Sequence, residues 1–204
     1  IALPEYTYFD TPLGSIEVNN RLINDITEKF PSFIANEVFE NEHSIEVQLP
    51  FLQNIFTPHI QSAMDFVKGL KKIGKKFKII PILVGNCDYR LISDLISTYW
   101  DNSSFVISSD LSHYFSKQEC RQIDTYTATI IETGKIDFFQ PQQACGLVGI
   151  MGLVDFANNN DCTMIRSMMY NSGDISKDVD KVVGYGAWLL YTDSKNNFIE
   201  RYFS

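Results

Sequence analysis

The chain has 204 residues, of which 45% are hydrophobic and 21% charged, and its formal net charge is -8 at pH 7. This composition is ordinary for a folded protein, and the acidic excess excludes non-specific nucleic-acid binding, which needs clustered Lys and Arg. No apolar run approaches the roughly 20 residues that cross a bilayer. We therefore expect one domain over residues 1–204, with neither nucleic acid nor membrane as a partner.

The N-terminus and the cysteines indicate the cellular compartment. The N-terminus has neither the layout of a signal peptide nor an initiator Met, so we expect a cytoplasmic protein whose N-terminal region is incomplete. The four cysteines lack CxxC spacing, which argues against a disulfide framework and against a zinc ribbon. Free thiols in a reducing compartment are expected.

The first half of the chain alternates strand and helix patterns. In chain order, these predict a hairpin or extended edge at 6–18, a helix at 20–30, a helix from Glu42 that Pro50 bends or interrupts, a helix at 61–73, and a strand buried on both faces at 76–85. Proline stops or bends the helices because it removes a donor. Pro81 weakens the strand pattern for the same reason.

The second half continues the alternation. It predicts a helix at 92–100, a second buried strand at 103–108, a helix at 117–133 ended by Gly134, an apolar helix at 144–158, and strands at 162–170 and 181–192. Strands that alternate with helices indicate a layered α/β fold. We predict a mainly parallel or mixed sheet flanked by helices, with antiparallel additions near the C-terminus.

Asp110 and His113 follow the predicted strand at 103–108. Ligands of open α/β sheets bind beyond the carboxyl ends of the strands, so this position favours a functional site. A histidine there can act as an acid or base near neutral pH, and a carboxylate can fix its tautomer. The alternative is that Asp110 caps a turn and His113 packs.

Two further groups carry reactive side chains. His43 and Glu46 lie three residues apart, which places them on one face if the helix from Glu42 forms; the alternative is a charged first helical turn. Cys145 lies where a helix starts, and helix amides favour the thiolate that binds metal or attacks a substrate. Its alternative is a small buried hydrophobe. His59 is assigned no role.

Several familiar motifs are missing from the sequence. It contains no GxxxxGK[ST] loop, no GxGxxG fingerprint, no GxSxG elbow and no HExxH helix. Nucleotide hydrolysis, dinucleotide binding, lipase-type acyl transfer and standard zinc proteolysis therefore have no support.

Taken in order, six blocks of the sequence resemble the Memo family, whose bacterial and archaeal members are called AmmeMemoRadiSam system protein B. The blocks are TPLGSIEV, NEHSIEVQLPFL, IIPILVGN, VISSDLSHY, the ACG that opens a helix, and GYGAWLLY. They recur in the order of the family and cover nearly all of the chain. The resemblance implies a fold similar to class III extradiol dioxygenases, an α/β arrangement with the site at one end of the sheet.

The resemblance also implies roles for individual residues. SSDLSH looks like the strand-end motif of those dioxygenases, with His113 as acid or base and Asp110 beside it. The metal ligands of Memo-like proteins are similar to two histidines and a cysteine, and Cys145 matches the cysteine. Such a ligand set suits copper or iron.

The sequence departs from the family at two places. The two ligand histidines of the family lie in PHAGY-like and GPSHH-like segments upstream, and this chain begins after both, so an incomplete metal site is expected. Leu147 stands where an Arg commonly follows the CG pair, which removes any anion contact made by that Arg.

The leading hypothesis is a Memo-like protein with a cleft built from His43, Glu46, Asp110, His113 and Cys145. In its complete form this cleft would support metal-dependent oxidoreductase or oxygenase-type activity on a small-molecule or peptide ligand. The competing hypothesis is a non-enzymatic protein that binds a peptide or small anion in the same cleft, and a third is a structural partner in a larger assembly. A sheet face left uncovered also predicts association into homo-oligomers.

Overall fold

The computed structural model describes residues 1–56, 77–177 and 179–192, and the chain divides into two compact units, Ile1–Gly85 and Asn86–Ser204. The elements are β1 (Ala2–Leu3), β2 (Tyr8–Thr11), β3 (Gly14–Glu17), α1 (Asn20–Lys29), β4 (Phe33–Ile34), α2 (Leu49–Phe56), α3 (Tyr89–Tyr99), β5 (His113–Phe115), α4 (Lys117–Thr133), α5 (Leu147–Asn159), β6 (Cys162–Asn171), α6 (Gly173–Ser176) and β7 (Val182–Thr192). Helices combined with parallel and antiparallel strand pairs confirm the α/β class. The single domain over 1–204 stays a prediction.

The first unit opens with small strand pairs. β2 and β3 form the expected antiparallel hairpin, and β1 pairs in parallel with β4. Gly14 follows the hairpin turn at a φ of 113°, a conformation that side chains with a Cβ rarely adopt. The hairpin is therefore tied to a glycine at that position.

Helix α1 forms where the sequence predicts it. The Asn19 side chain accepts a hydrogen bond from the Leu22 amide at 3.2 Å, which caps the first turn. Ile23 and Ile26 then bury the apolar face, at 2% and 1% exposure. The extended backbone at Phe30, just before Pro31, ends the helix.

Two predictions in the first unit need correction. The helix expected from Glu42 begins only at Leu49, with Pro50 in its first turn, where a missing amide costs nothing; residues 44–48 form turns. The strand expected at 76–85 makes only isolated bridges, at Ile79 and Leu83, among its described residues. Pro81 lies between these bridges and has no amide to donate to a ladder. The helix predicted at 61–73 lies outside the described residues.

The second unit contains a three-stranded sheet in the order β5-β7-β6. Both pairs are antiparallel, whereas β1 and β4 are parallel, so the described strands fit the mixed form of the predicted sheet arrangement. The antiparallel additions expected near the C-terminus are confirmed as β6 and β7. The segment at 103–108, predicted as a buried strand, belongs to no strand ladder, and Val106 is 53% exposed. An apolar run has the composition of a buried strand, but a strand forms only where a neighbouring strand can pair with its backbone.

Helix α4 carries signals for both of its ends. Ser116 and Glu119 form a reciprocal capping box, and Gly134 ends the helix in the left-handed conformation at a φ of 69°. Its boundaries coincide with the predicted 117–133. Its buried face packs against β6 and β7.

Helices α3 and α5 pack closely against each other. A Cβ built on Gly152 would lie 2.5 Å from the Ile92 Cβ, so the glycine permits the approach of the two helices. Phe156 is 1% exposed, and its ring centroid lies 4.7 Å from that of Trp100. No helix among the described residues is long and apolar enough to span a membrane.

Candidate functional site

The structure brings Asp110 and His113 together in the second unit. The His113 Nε2 lies 3.3 Å from Asp110 Oδ2, and the two side chains are 30% and 48% exposed. Because an ionised carboxylate can only accept a hydrogen bond, Nε2 carries the hydrogen in this pair. The Nδ1 lone pair of His113 is then left to accept a proton from another group.

The backbone after this pair is irregular. His113 begins β5, and the register between β5 and β7 shifts between His113 and Phe115. Tyr114 lies at this bulge with a φ of 64° and is 77% exposed. Bulges of this kind re-aim side chains next to functional sites. The pair therefore lies between a segment that belongs to no strand and the start of β5, and it does not follow a strand at 103–108 as the sequence predicted.

Cys145 lies beside the same turn. Its amide donates to the Asp110 carbonyl oxygen at 3.3 Å, and its Sγ lies 3.5 Å from Ser109 Oγ. Ser109 Oγ donates to the Asp110 carbonyl oxygen at 2.7 Å, and the Cys145 thiol donates to the same oxygen at 3.8 Å. Asp110 therefore links both reactive groups, the imidazole through its carboxylate and the thiol through its carbonyl.

Gly146 allows the two segments to approach. Its amide donates to Ser109 Oγ at 2.8 Å, and a Cβ at this position would lie 2.8 Å from the Ser109 Cβ. Helix α5 begins at the next residue, Leu147, with Gly146 as its N-cap. The helix start predicted near Cys145 is thus confirmed, with Cys145 one residue before the cap.

The four cysteines differ sharply in their surroundings, which predicts an order of reaction. All four are free; Cys145 is exposed and Cys120 is buried. Burial raises the pKa of the Cys120 thiol to about 11, and the neighbouring Asp124 carboxylate acts in the same direction. At pH 8 we expect iodoacetamide to modify Cys145 first and Cys120 last, by at least tenfold in rate, because the thiolate reacts. Peptide mass spectrometry over time measures this order, and equal rates in the folded protein would contradict it.

Three residues near the pair had no assigned role in the sequence. The Ser109 hydroxyl contacts both the Cys145 thiol and the Asp110 carbonyl oxygen. Asp124 Oδ1 accepts a hydrogen bond from the Ser112 amide at 3.1 Å. Burial, followed by the charge of Asp110 and by Tyr170, raises the pKa of Tyr185, which places the phenol in the electrostatic field of the site. Ser109 and Tyr185 lie in the VISSDLSHY and GYGAWLLY blocks, which were the available signals.

His43 and Glu46 form a separate pair in the first unit. His43 Nδ1 lies 2.9 Å from Glu46 Oε1, and the side chains are 78% and 58% exposed. The sequence predicted this pair on a helix. In the structure it lies in the irregular segment and turns that precede α2. The Val47 amide donates to the His43 carbonyl at 3.2 Å, which keeps the turn tight enough for contact. One cleft shared by all five predicted residues stays a prediction.

An open groove of about 960 Å³ in the second unit is lined mainly by residues of α4. Lys117, Arg121, Tyr126 and Val179 are among its lining residues, and none of the predicted site residues lines it. Both cations already contact the Asp174 carboxylate, at 2.7 and 2.8 Å. The groove therefore offers no free pair of charges for an anionic ligand.

The donor set can be compared with the needs of a metal. Cys145 is exposed and provides one soft donor of the kind that copper and iron accept. Among residues 1–56, 77–177 and 179–192, no group of three or more His, Cys, Asp or Glu side chains is arranged to hold a metal ion. The described residues therefore do not form a complete metal site by themselves.

The fold and the site define an α/β protein in which a thiol, a carboxylate and an imidazole meet at one turn. A family model described as Memo-like protein matches residues 1–189, and the chain belongs to this family.

Its relatives include MEMO1 family proteins from several archaea and one bacterium. The protein of Methanosarcina mazei is 32% identical over 195 residues, covering 88% of this chain and 66% of the relative. That of Thermoplasma acidophilum is 28% identical over 189 residues, and that of Aquifex aeolicus is 30% identical over 190; this chain covers 64% of each. The chain thus spans just under two thirds of the length of these relatives.

Proposed function

We propose that this chain contributes the thiol and the proton-transfer pair of a redox site that oxidises a small-molecule or peptide substrate. The observation that supports the proposal is that Asp110 contacts two reactive groups, the Cys145 thiol through its carbonyl oxygen and the His113 imidazole through its carboxylate. Copper or iron is the proposed metal, with Cys145 as one ligand and further ligands from outside the described residues. When bound, such a metal supplies the redox chemistry.

His113 would act as the base in this proposal. Its Nε2 donates to Asp110, so Nδ1 accepts the proton that the substrate loses. The Asp110 carboxylate then faces an imidazolium and stabilises its charge. At 30% exposure the imidazole is open enough to pass the proton on to water. The His43–Glu46 pair is proposed as a second acid–base pair of the complete protein.

A second candidate function is binding without catalysis. The turn at Asp110 offers one soft donor, Cys145, and the described residues hold no cluster of three metal ligands, which favours a site that holds a peptide or small anion without a metal. His113 and the exposed thiol would then act as hydrogen-bonding groups. Both candidates use the same side chains, so metal content separates them.

Cys145→Ser tests the proposal directly. We expect the complete protein that contains this chain and the further ligands, incubated anaerobically with Cu(I) or Fe(II) and desalted, to retain near one metal per chain by elemental mass spectrometry. The Cys145→Ser variant should retain at least tenfold less, because a hydroxyl is a poor ligand for these soft ions.

The matched control is Cys87→Ser, which removes a partly buried thiol of the same unit. It should retain as much metal as the wild type. Equal losses in the two variants would contradict a specific role of Cys145, and wild-type protein without either metal would favour the binding function.

The cellular location and the partners of the protein are proposed mainly from its sequence. We place the protein in the cytoplasm, where its free cysteines remain reduced. Its acidic charge argues against nucleic acid as a partner. Association into homo-oligomers is proposed because large apolar side chains, Ile165, Met168 and Leu189, are exposed on β6 and β7.

A further inference from the structure

Asp124 is a buried carboxylate that the proposed function does not use. It lies on α4 and is 2% exposed, although its surroundings include no cation that contacts it within the described residues. Buried acids are rare unless hydrogen bonds satisfy them. The hydrogen bonds of Asp124 should therefore explain why a carboxylate is buried at this position.

Each carboxylate oxygen has one donor. Oδ1 accepts the amide of Ser112 at 3.1 Å, and Oδ2 accepts the thiol of Cys120 at 3.1 Å. Cys120 lies one helical turn before Asp124, so this second bond fixes the carboxylate against its own helix. The oxygen that faces Ser112 is consequently held in one orientation.

Ser112 lies between the two members of the reactive pair. Its carbonyl accepts from the Gly184 amide at 2.8 Å, while the Leu111 amide donates to the Gly184 carbonyl at 2.9 Å. Asp124 provides the third bond, since its carboxylate accepts the Ser112 amide. Leu111 and Ser112 are therefore held by hydrogen bonds to β7 and by one hydrogen bond to the Asp124 side chain.

We propose that Asp124 is a positioning residue, which holds the turn so that Asp110 and His113 keep hydrogen-bonding distance. The inference rests on the role of this pair in the proposed function and adds to it the group that maintains its geometry. Ser112 is fully buried, so without Asp124 its amide would lose its partner away from water. The turn would then shift to find another acceptor, and His113 would move with it.

Two variants at the position and one control separate positioning from general stability. Asp124→Ala removes the acceptor, whereas Asp124→Asn keeps an oxygen that can accept the Ser112 amide. Thr127→Val changes a fully buried polar residue of the same helix whose hydroxyl bonds only the Ile123 carbonyl of that helix. Amide hydrogen exchange of Ser112 and long-range ¹H–¹⁵N spectra of His113 are measured on the metal-free chain.

In Asp124→Ala we expect Ser112 exchange to accelerate at least tenfold and His113 to lose its single Nε2–H form. Asp124→Asn should change the exchange by less than threefold and keep that form, and Thr127→Val should leave both unchanged. Faster Ser112 exchange with an unaltered His113 spectrum in Asp124→Ala would overturn the proposal. The same holds if Thr127→Val disturbs His113 as strongly.

If Asp124→Ala does not fold, the comparison of Asp124→Asn with the wild type still tests the proposal. The isosteric Asp124→Asn protein then carries the test, and loss of the Nε2–H form of His113 in it would overturn the proposal. None of these measurements depends on metal or on turnover. Failure of the proposed redox function and failure of this inference are therefore separate results.

Discussion

Gly184→Ala is expected to lower the free energy of unfolding of the second unit by roughly 3 to 5 kcal/mol. A Cβ at this position would lie 1.9 Å from Asp124 Oδ2, well inside van der Waals contact. The strand cannot withdraw, because Gly184 pairs with Asn171 on one side and with the turn at Leu111 and Ser112 on the other. The carboxylate must move instead, and its two buried hydrogen bonds weaken.

Urea unfolding followed by tryptophan fluorescence measures this loss, since both tryptophans, Trp100 and Trp188, lie in the second unit. Gly85→Ala in the first unit is the control for the substitution itself, because an added Cβ there meets no described atom within 4 Å. Followed by far-ultraviolet circular dichroism, which reports on both units, it should change stability by less than about 0.5 kcal/mol. A double variant with Asp124→Ala should be no less stable than Asp124→Ala alone. Additive losses would show that the clash is not with the carboxylate.

Phe156→Ala should cost about 3 to 5 kcal/mol of unfolding free energy. The side chain is 1% exposed on α5, where its ring lies at 47° to the ring of Trp100. Truncation removes this aromatic contact and leaves a cavity between α5 and the residues that follow α3. The rigid helices around it can close the cavity only in part.

Phe138→Ala is the matched control for this truncation. Phe138 lies in a short 3-10 helix and is 55% exposed, so the same change removes little buried surface. Its cost should stay below about 1 kcal/mol in the same urea experiment. Similar losses at the two positions would contradict the burial argument.

Helices were the predictable part of this fold, since their signals are local. Asn19 and the Ser116–Glu119 box mark helix starts, and Gly134 marks an end. These residues act through neighbours within one turn of the chain, so sequence spacing is enough to recognise them. The late start of α2 was missed because Pro50 suits a first turn as well as it suits a kink.

Strands and their directions were less predictable. The runs at 76–85 and 103–108 have the composition of buried strands, yet neither forms a ladder in the described part of the chain. Pairing depends on partners far away in sequence, which composition does not encode. The β6–β7 pair was recognisable because two long runs follow each other closely.

The proximity of Asp110, His113 and Cys145 was predictable from the sequence, but the contacts that join them were not. Spacing alone pointed to Asp110 with His113, and the position before a helix pointed to Cys145. The link between them runs through the Asp110 carbonyl and the Ser109 hydroxyl, and backbone atoms carry no sequence signal. Asp124 was hidden for another reason, since a lone acid in a helix is ordinarily solvated.

The bulge at Tyr114 limits how this region can change through insertion and deletion. One extra residue in β5 separates His113 from Phe115, while their partners on β7, Val183 and Val182, are adjacent. Removing Tyr114 would leave Phe115 opposite Val182 and on its present face, so the pairing would survive, but the bulge that bends the backbone after His113 would be lost. The exposed ring of Tyr114 can be exchanged with little loss of contact, and asparagine or glycine would suit its φ of 64° better. The presence of an extra residue after His113 therefore matters more for the local bend of β5 than the identity of its side chain does.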